Sequence, residues 1–170
     1  KVPIWLLGSS LFSAQLAGML GLPFAFASHF APDMLMQALE IYHQRFEPSA
    51  QLDIPHAMAG VGIVAADTDA EARLLFTSQQ QQFANLRTGM PGKLPSPSEE
   101  VVRNWPDDVK ALVDTTLRYY FVGTKDKVAD GLKGFIKETG VNEIMISGQI
   151  HDHAARLRSF ELAAEVRDSL

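Results

Sequence analysis

The sequence predicts an α/β fold in which strands and helices alternate around a parallel sheet. Short apolar runs alternate along the chain with longer amphipathic stretches. Ser, Thr or Asp stands where several of the amphipathic stretches begin, and Gly stands where several of them end, as is typical of helix caps. About four β-then-α units can be counted in this way, and such alternation favours parallel strands with right-handed crossovers.

The composition is that of a globular protein, and we assign residues 1–170 to one domain. Of the 170 residues, 46% are hydrophobic and 21% are charged, so the chain can bury a core. The net charge of −5 and the absence of a basic cluster argue against binding to nucleic acid. No apolar run approaches the roughly 20 residues that span a bilayer. Because there is also no cysteine, we expect a cytoplasmic protein without a membrane partner.

The first two units begin the chain. The apolar run at residues 3–8 predicts a buried strand, and Ser13 is expected to cap a helix over residues 13–20. Residues 23–28 predict the second strand, and a further helix is expected to begin near Pro32. One apolar stripe at helical spacing runs along that helix: Leu35, Ala38, Leu39, Tyr42 and Phe46.

The third unit is centred on the apolar run "HAMAGVGIVAA" at residues 56–66, which predicts a third buried strand. Thr68 and Glu71 match a capping box that opens a helix to about Arg87, and its run of four glutamines is expected to face solvent. The stretch "TGMPGKLPSPSEE" predicts a long loop. Such a loop is either a lid or an ordinary surface excursion.

An insertion of this loop and two helices is predicted near residues 88–120. The helices are expected at residues 97–104 and 106–119, since a proline suits the first turn of each. Residues 120–123 predict a short extended piece.

The last unit contains the fourth predicted strand, at residues 142–147. Thr124 is expected to cap the helix that precedes it, and Gly140 to end that helix. Asp152 is expected to cap a final helix that runs to about Asp168.

The corner after the first strand is a candidate anion site. Ligands of parallel α/β folds bind beyond the carboxyl ends of the strands. Gly8, Ser9 and Ser10 combine a permissive backbone with two hydroxyl groups beside a helix N-terminus, which favours a phosphate. The same residues also suit an ordinary strand-to-helix turn, and no Gly-x-Gly-x-x-Gly or P-loop pattern supports nucleotide binding.

The corner after the second strand contains Ser28, His29 and Phe30. His29 either faces a pocket as a proton donor or acceptor or makes only a hydrogen bond within the loop. Phe30 could pack on a flat ring. These residues are candidates for the lining of a pocket.

Two histidine patterns suggest metal binding at first sight. His151 and His153 flank Asp152, but Asp152 suits a helix N-cap and no third ligand follows at a defined spacing. Glu40 and His43 have the i, i+3 spacing of carboxylate metal sites, which need a second copy of the motif. We therefore predict no metal site.

Four segments are similar in sequence to a single protein family: "PIWLLGSSLFSAQLAGMLGLPFAFASHFAP", "VGIVAADTDAEARLLFTSQQQQF", "YYFVGTKDKVADGLKGFI" and "HDHAARLRSFELAAEV". In this order they resemble the bacterial luciferase-like flavin-dependent monooxygenases, and the resemblance extends over essentially the whole chain. Members of that family are (β/α)8 barrels. The resemblance implies that the (β/α) units of this chain form the C-terminal half of a TIM-type (β/α)8 barrel.

The resemblance also implies a chemistry. Family members bind reduced FMN, which a reductase supplies, and activate O2 to oxidise a small-molecule substrate. The family loop that holds the flavin phosphate aligns with Gly8, Ser9, Ser10, Leu11 and Phe12. Ser9 and Ser10 would offer hydroxyl groups, and the next two residues would offer backbone N–H groups.

By the same resemblance, the second corner, with Ser28, His29 and Phe30, would lie near the flavin or the substrate. The resemblance places the first four units of the barrel outside this chain. We then expect open strand edges near residues 4–8 and 142–147, and either a homo-oligomer or association with the missing half. The isolated chain would be inactive or very weakly active. The alternative is a non-catalytic folding module that self-associates and binds phosphate or flavin weakly or not at all.

Overall fold

A computed structural model describes residues 2–167 and residue 170. Strands and helices alternate in it, as predicted. The strands are β1 (Leu6–Gly8), β2 (Phe24–Phe26), β3 (Ala57–Ala65), β4 (Tyr120–Gly123) and β5 (Glu143–Ser147). The α-helices are α1 (Leu11–Met19), α2 (Leu35–Arg45), α3 (Asp69–Arg87), α4 (Glu99–Arg103), α5 (Asp107–Thr116), α6 (Lys125–Thr139) and α7 (His153–Arg167), and a 3-10 turn at Pro32–Met34 precedes α2. The predicted end of the last helix, Asp168, lies outside the described residues.

The chain forms two compact units. The first runs to Val61 and includes Ile136–Ile146, and the second contains Gly62–Phe135 and the residues from Ser147 onward. The assignment of residues 1–170 to one domain stays a prediction. Within residues 2–167, no helix is long and apolar enough to cross a bilayer.

Parallel pairing confirms the predicted class of sheet. Strand β1 pairs with β2, β2 with β3, and β3 with β4, and all three pairs are parallel. Strand β5 also pairs with β3. In the first unit, Leu7 lies opposite Ala25, which lies opposite Met58. Because side chains alternate between the faces of a strand, these three form one row on one face of the sheet.

The other face of these strands packs on α2, which forms the core of the first unit. Phe24 is fully buried there, with its ring 5.3 Å from the Tyr42 ring between centroids. The Tyr42 hydroxyl donates to the carbonyl of Leu22 at 3.0 Å and accepts from the N–H of His56 at 3.0 Å. The predicted apolar stripe of α2 is confirmed, since four of its members are buried: Leu35, Ala38, Leu39 and Tyr42.

The core of the second unit lies between β3, β4 and the helices that follow them. Val64, Ala72 and Leu75 form one buried cluster, which includes residues of β3 and α3. Tyr120 lies opposite Gly62 on the neighbouring strand, and a Cβ at that glycine would overlap the tyrosine ring. Burial raises the pKa of Tyr120 to about 12, although a hydrogen bond with Ser147 lowers it in part.

The helix caps follow the predictions at α3 and α7 but not at α1. The Thr68 hydroxyl accepts from the N–H of Glu71 at 3.2 Å, and the Asp152 carboxylate accepts from the N–H of Ala155 at 2.8 Å. The prediction of Ser13 as the cap of α1 is wrong, because Ser10 occupies that position with an extended backbone. Ser13 lies within the first turn of the helix.

The expectation that the glutamines of α3 face solvent is wrong at two positions. Gln79 is 1% exposed and Gln81 is 8% exposed. The Gln81 amide donates to the carbonyl of Thr77 at 3.1 Å and to the carbonyl of Ser96 at 3.0 Å. The Thr77 hydroxyl accepts from the N–H of Ser98 at 2.8 Å. The C-terminal end of the long loop is therefore anchored to α3.

Candidate functional site

An apolar cleft with a volume of about 580 Å³ opens on the sheet of the first unit. This volume is within the range of small-molecule sites, roughly 300–1,000 Å³. The lining consists of aromatic, aliphatic and sulfur-containing side chains together with one histidine. The lining residues are Trp5, Leu7, Ala25, Phe26, Ala27, His29, Phe30, Met58, Gly60 and Met145.

Strand register creates this cleft. Leu7, Ala25 and Met58 form the row that crosses three strands on the face away from α2. Met145 is contributed by β5. Leu7 is 69% exposed and Met145 is 57% exposed, so the cleft is open to solvent despite its apolar lining. Such a surface favours a flat apolar ligand or a further protein segment.

The second predicted corner forms part of the cleft wall. Ser28 is fully buried, and its hydroxyl donates to the carbonyl of Gly60 at 2.6 Å. It therefore supports the wall but is not among the lining residues. The next two residues, His29 and Phe30, do line the cleft, and a turn holds them in place through a 3.0 Å bond from the N–H of Phe30 to the carbonyl of Ala27.

The His29 ring lies directly against the backbone of Gly60. A Cβ added at position 60 would lie 2.9 Å from the Cε1 atom of His29, so only glycine leaves room for the ring. The Nδ1 atom is buried and makes no hydrogen bond of good geometry to a described residue. Burial lowers the pKa of His29 below its usual value, and a weak hydrogen bond with the Gly60 backbone offsets this only in part. The imidazole is therefore neutral near pH 7.

The first predicted corner is built around Ser13. The Ser13 hydroxyl donates to the carbonyl of Ser10 at 2.8 Å, and a Cβ at Gly8 would overlap the Ser13 side chain. Glycine at position 8 is therefore required by packing within the corner itself. The Ser10 hydroxyl accepts from the N–H of Ser13 at 3.4 Å and is engaged as the helix cap.

Ser9, Leu11 and Phe12 supply the other donors of this corner. The side chain of Ser9 is exposed, so its hydroxyl is accessible to a ligand. Leu11 and Phe12 are the first two residues of α1, so their N–H groups have no partner within the helix. One hydroxyl and two N–H groups at a positive helix end fit a phosphate.

The corner and the cleft together fit a cofactor with a flat ring and a phosphate. Leu7 lines the cleft, and Gly8 and Ser9 follow it directly in the chain. An apolar cleft suits a ring system, and the corner suits an anion. FMN contains both groups, and its binding at this site stays a prediction.

Sequence reasoning missed most of the cleft lining. Trp5, Leu7, Met58, Gly60 and Met145 lie on three different strands or directly beside one of them. The alternation of Met58 and Gly60 along β3 is a usable signal, because both positions belong to one face of a strand. Their alignment with Leu7 could be found only from the strand register.

A second, polar cleft of about 380 Å³ lies in the second unit, beyond the ends of β3 and β4. The Asp67 carboxylate accepts a hydrogen bond from Nη2 of Arg158 at 2.7 Å. The Nζ atom of Lys125 lies 3.0 Å from Oε2 of Glu165. The hydrogen bond from Arg158 holds the pKa of Asp67 below its usual range. Four of the charged residues in this cleft are thus paired with one another.

The histidines that suggest metal binding have other neighbours. The Nε2 atom of His151 is 3.5 Å from the Ser96 hydroxyl, and the Nδ1 atom of His153 is 2.8 Å from Nη2 of Arg156. Across residues 2–167 and 170, no three His, Asp or Glu side chains are grouped so that they could hold a metal ion.

Solved structures with the same fold define the class of protein. The structure of apo-MsnO8 matches with a TM-score of 0.81 at 30% identity, over 98% of this chain and 51% of that chain. The oxygenating constituent of 3,6-diketocamphane monooxygenase from Pseudomonas putida, in complex with FMN, matches with a TM-score of 0.65 at 21% identity, over 96% of this chain and 47% of that chain. The chain thus has the fold of about half of a TIM-type barrel.

The sequence identifies the family. The profile of the luciferase-like monooxygenases matches residues 1–143, and the chain belongs to this family. A luciferase-like monooxygenase of Escherichia coli K12 is 54% identical over 170 residues, which are 100% of this chain and 51% of the relative. The uncharacterized protein YvbT of Bacillus subtilis is 49% identical over 165 residues, 97% of this chain and 49% of the relative. The chain spans about half the length of these relatives. The predicted family and fold class are confirmed.

Proposed function

We propose that this chain supplies the phosphate-binding corner and one wall of the ring-binding cleft of an FMN-dependent monooxygenase. Such an enzyme is an oxidoreductase that uses O2 and a small organic substrate. The observation that carries the proposal is the apolar cleft next to the donor-rich corner of residues 8–12. The FMN complex of the 3,6-diketocamphane enzyme, which has the same fold, supports it.

The chain's own residues would bind and orient the cofactor. Ser9 would donate its hydroxyl to the phosphate, together with the N–H groups of Leu11 and Phe12, while Ser10 caps α1. Leu7 and Met58 would pack on the ring and exclude water from it. FMN, delivered in reduced form by a reductase, supplies the electrons for O2 activation. We place this chemistry in the cytoplasm.

Replacement of Ser9 by alanine tests the corner. We expect FMN affinity to fall by about 1–2 kcal/mol, the scale of a hydrogen bond to a charged group, or roughly 5- to 30-fold. Stability should stay the same because the Ser9 side chain is exposed. The measurement is a titration by flavin fluorescence, in the native polypeptide that contains these residues.

Ser10→Ala is the matched control for this test. Ser10 is the N-cap of α1, so its loss should lower the free energy of unfolding by about 1 kcal/mol. Its effect on FMN affinity should be smaller than that of Ser9→Ala. An unchanged affinity in Ser9→Ala would show that the corner does not hold the phosphate.

A second candidate function is a non-catalytic half-barrel that associates through its open face. The exposure of Leu7 and Met145 favours it, because an uncovered apolar surface of this kind is suited to a protein contact. Titration of the protein with FMN distinguishes the two candidate functions, the FMN-dependent enzyme and the non-catalytic half-barrel. Tight binding favours the cofactor site, and no binding favours the scaffold. We propose that the 170 residues by themselves have little or no catalytic activity.

A further inference from the structure

His29 is distinguished from the other residues of the apolar cleft. Among the lining residues that the structure describes, it is the one ionisable side chain. Its ring is fixed from two directions, because the Nδ1 edge lies on Gly60 and the turn after β2 holds the backbone. Ser28 anchors the same strand end to the Gly60 carbonyl at 2.6 Å. This support restricts the ring to one position in the wall.

The two ring nitrogens have different surroundings. Nδ1 is buried, and no described residue donates to it or accepts from it in hydrogen-bonding geometry. Nε2 is not among the buried atoms that lack a hydrogen-bond partner. A buried N–H without a partner is rarer in proteins than a buried acceptor without one. This preference favours a neutral ring with the proton on Nε2, away from the Gly60 backbone.

We propose that His29 is the polar recognition residue of the cleft, and that its Nε2–H donates a hydrogen bond to a carbonyl oxygen or ring nitrogen of a flat heteroaromatic ligand. The inference rests on the proposed flavin function, because the ligand it names is the ring of the cofactor. The apolar lining would supply contact with the ring, and this donor would fix its orientation.

Imidazole ¹⁵N NMR tests the protonation of the ring. In labelled protein at pH 7.5, which is above the ordinary histidine pKa of 6.5, we expect the neutral Nε2–H tautomer for His29. The His29 signals are assigned by their loss in His29→Phe. Addition of FMN should shift the Nε2 resonance. A neutral ring with the proton on Nδ1 would overturn the proposal, as would an unmoved Nε2 signal in FMN-saturated protein.

Affinity for FMN tests the hydrogen bond itself. His29→Phe keeps a flat ring but removes the donor, so we expect FMN binding about 3- to 10-fold weaker, the scale of one neutral hydrogen bond. His29→Gln retains an N–H donor and should lose less. The control is His43→Phe, at an exposed histidine of α2, which should bind FMN like the wild type.

The outcomes separate this inference from the proposed function. Wild-type protein that binds no FMN would overturn the function, and with it the ligand named here. Tight wild-type binding that His29→Phe leaves unchanged would overturn the role of His29 alone. Thermal unfolding of each variant shows whether a loss of affinity arises from misfolding. If His29→Phe misfolds, the FMN affinity of His29→Gln decides whether the side chain at position 29 contributes a hydrogen bond.

Discussion

At the scale of single residues, glycines decide where functional side chains can lie. Gly60 leaves room for the imidazole of His29, and Gly8 leaves room for the side chain of Ser13. Neither glycine is needed for a positive φ angle, since the backbone there is not left-handed. Their role is to allow close approach, which propensity rules do not reveal.

The lowered pKa of His29 has a consequence for stability. Well above pH 6.5 the ring is neutral in both the folded and the unfolded chain, so it contributes no pH dependence. As the pH falls below this value, the unfolded chain takes up the proton first, because burial keeps the folded pKa lower. The free energy of unfolding should therefore fall.

We expect the wild type to lose stability relative to His29→Phe as the pH is lowered through 6.5. The measurement is urea unfolding of both proteins over a series of pH values. The difference between the two proteins isolates His29 from the other histidines. A difference that stays constant with pH would mean that the ring is not desolvated in the folded state.

At the scale of elements, α6 contains two glycines in contrasting surroundings. A Cβ at Gly134 would meet nothing within 4 Å, whereas a Cβ at Gly131 would lie 2.6 Å from the Cδ1 atom of Phe121. The Phe121 ring packs edge-on against Phe135, with 5.9 Å between centroids. The same substitution should therefore have opposite effects at the two positions.

We expect Gly134→Ala to raise the free energy of unfolding by about 0.5–1 kcal/mol, the gain of replacing glycine inside a helix. Gly131→Ala should lower it by roughly 1–3 kcal/mol, because overpacking displaces an aromatic ring. Each variant is the control of the other in chemical unfolding. Equal stabilisation by both would show that Phe121 can move aside without cost.

The helix caps show what local sequence can and cannot decide. Thr68 was predictable because Glu71 follows it at the spacing of a capping box, and Asp152 because it is the one Ser, Thr, Asn or Asp among residues 148–152. Near α1, serines occur at positions 9, 10 and 13, and all have cap chemistry. The extended backbone at Ser10, with φ −135° and ψ 160°, decides among them. Backbone angles at a corner depend on how the strand meets the sheet.

At the scale of the whole molecule, the uncovered side of the sheet is the most consequential feature. Among the described strands, β1 pairs with β2 alone, so its other edge has no strand beside it. The cleft face next to that edge is apolar and exposed. Open edges and apolar faces both promote association.

We expect the 170-residue chain, when expressed by itself, to form dimers or larger assemblies. Light scattering coupled to size-exclusion chromatography measures this directly over a range of concentrations. Leu7→Ser, which makes the row Leu7–Ala25–Met58 more polar, should weaken the association. A strictly monomeric chain at high concentration would count against self-association.

Only part of the cleft lining could be predicted from the sequence. His29 and Phe30 were expected at the end of the second strand, and both line the cleft. Trp5 and Met145 were not expected, because they are far apart in the chain and only strand pairing brings them to one surface. Gln81 reads as a solvated helix position, yet it bonds to Ser96 of the long loop at 3.0 Å.

The sequence by itself determined the alternation of strands and helices, the parallel class of the sheet and the family. These properties depend on apolar periodicity, cap chemistry and ordered similarity, which are local or cumulative along the chain. Only the tertiary structure decided which face of the strands is covered by α2 and which forms the cleft. A shift in register by one residue would exchange the two faces, and register depends on contacts between distant segments.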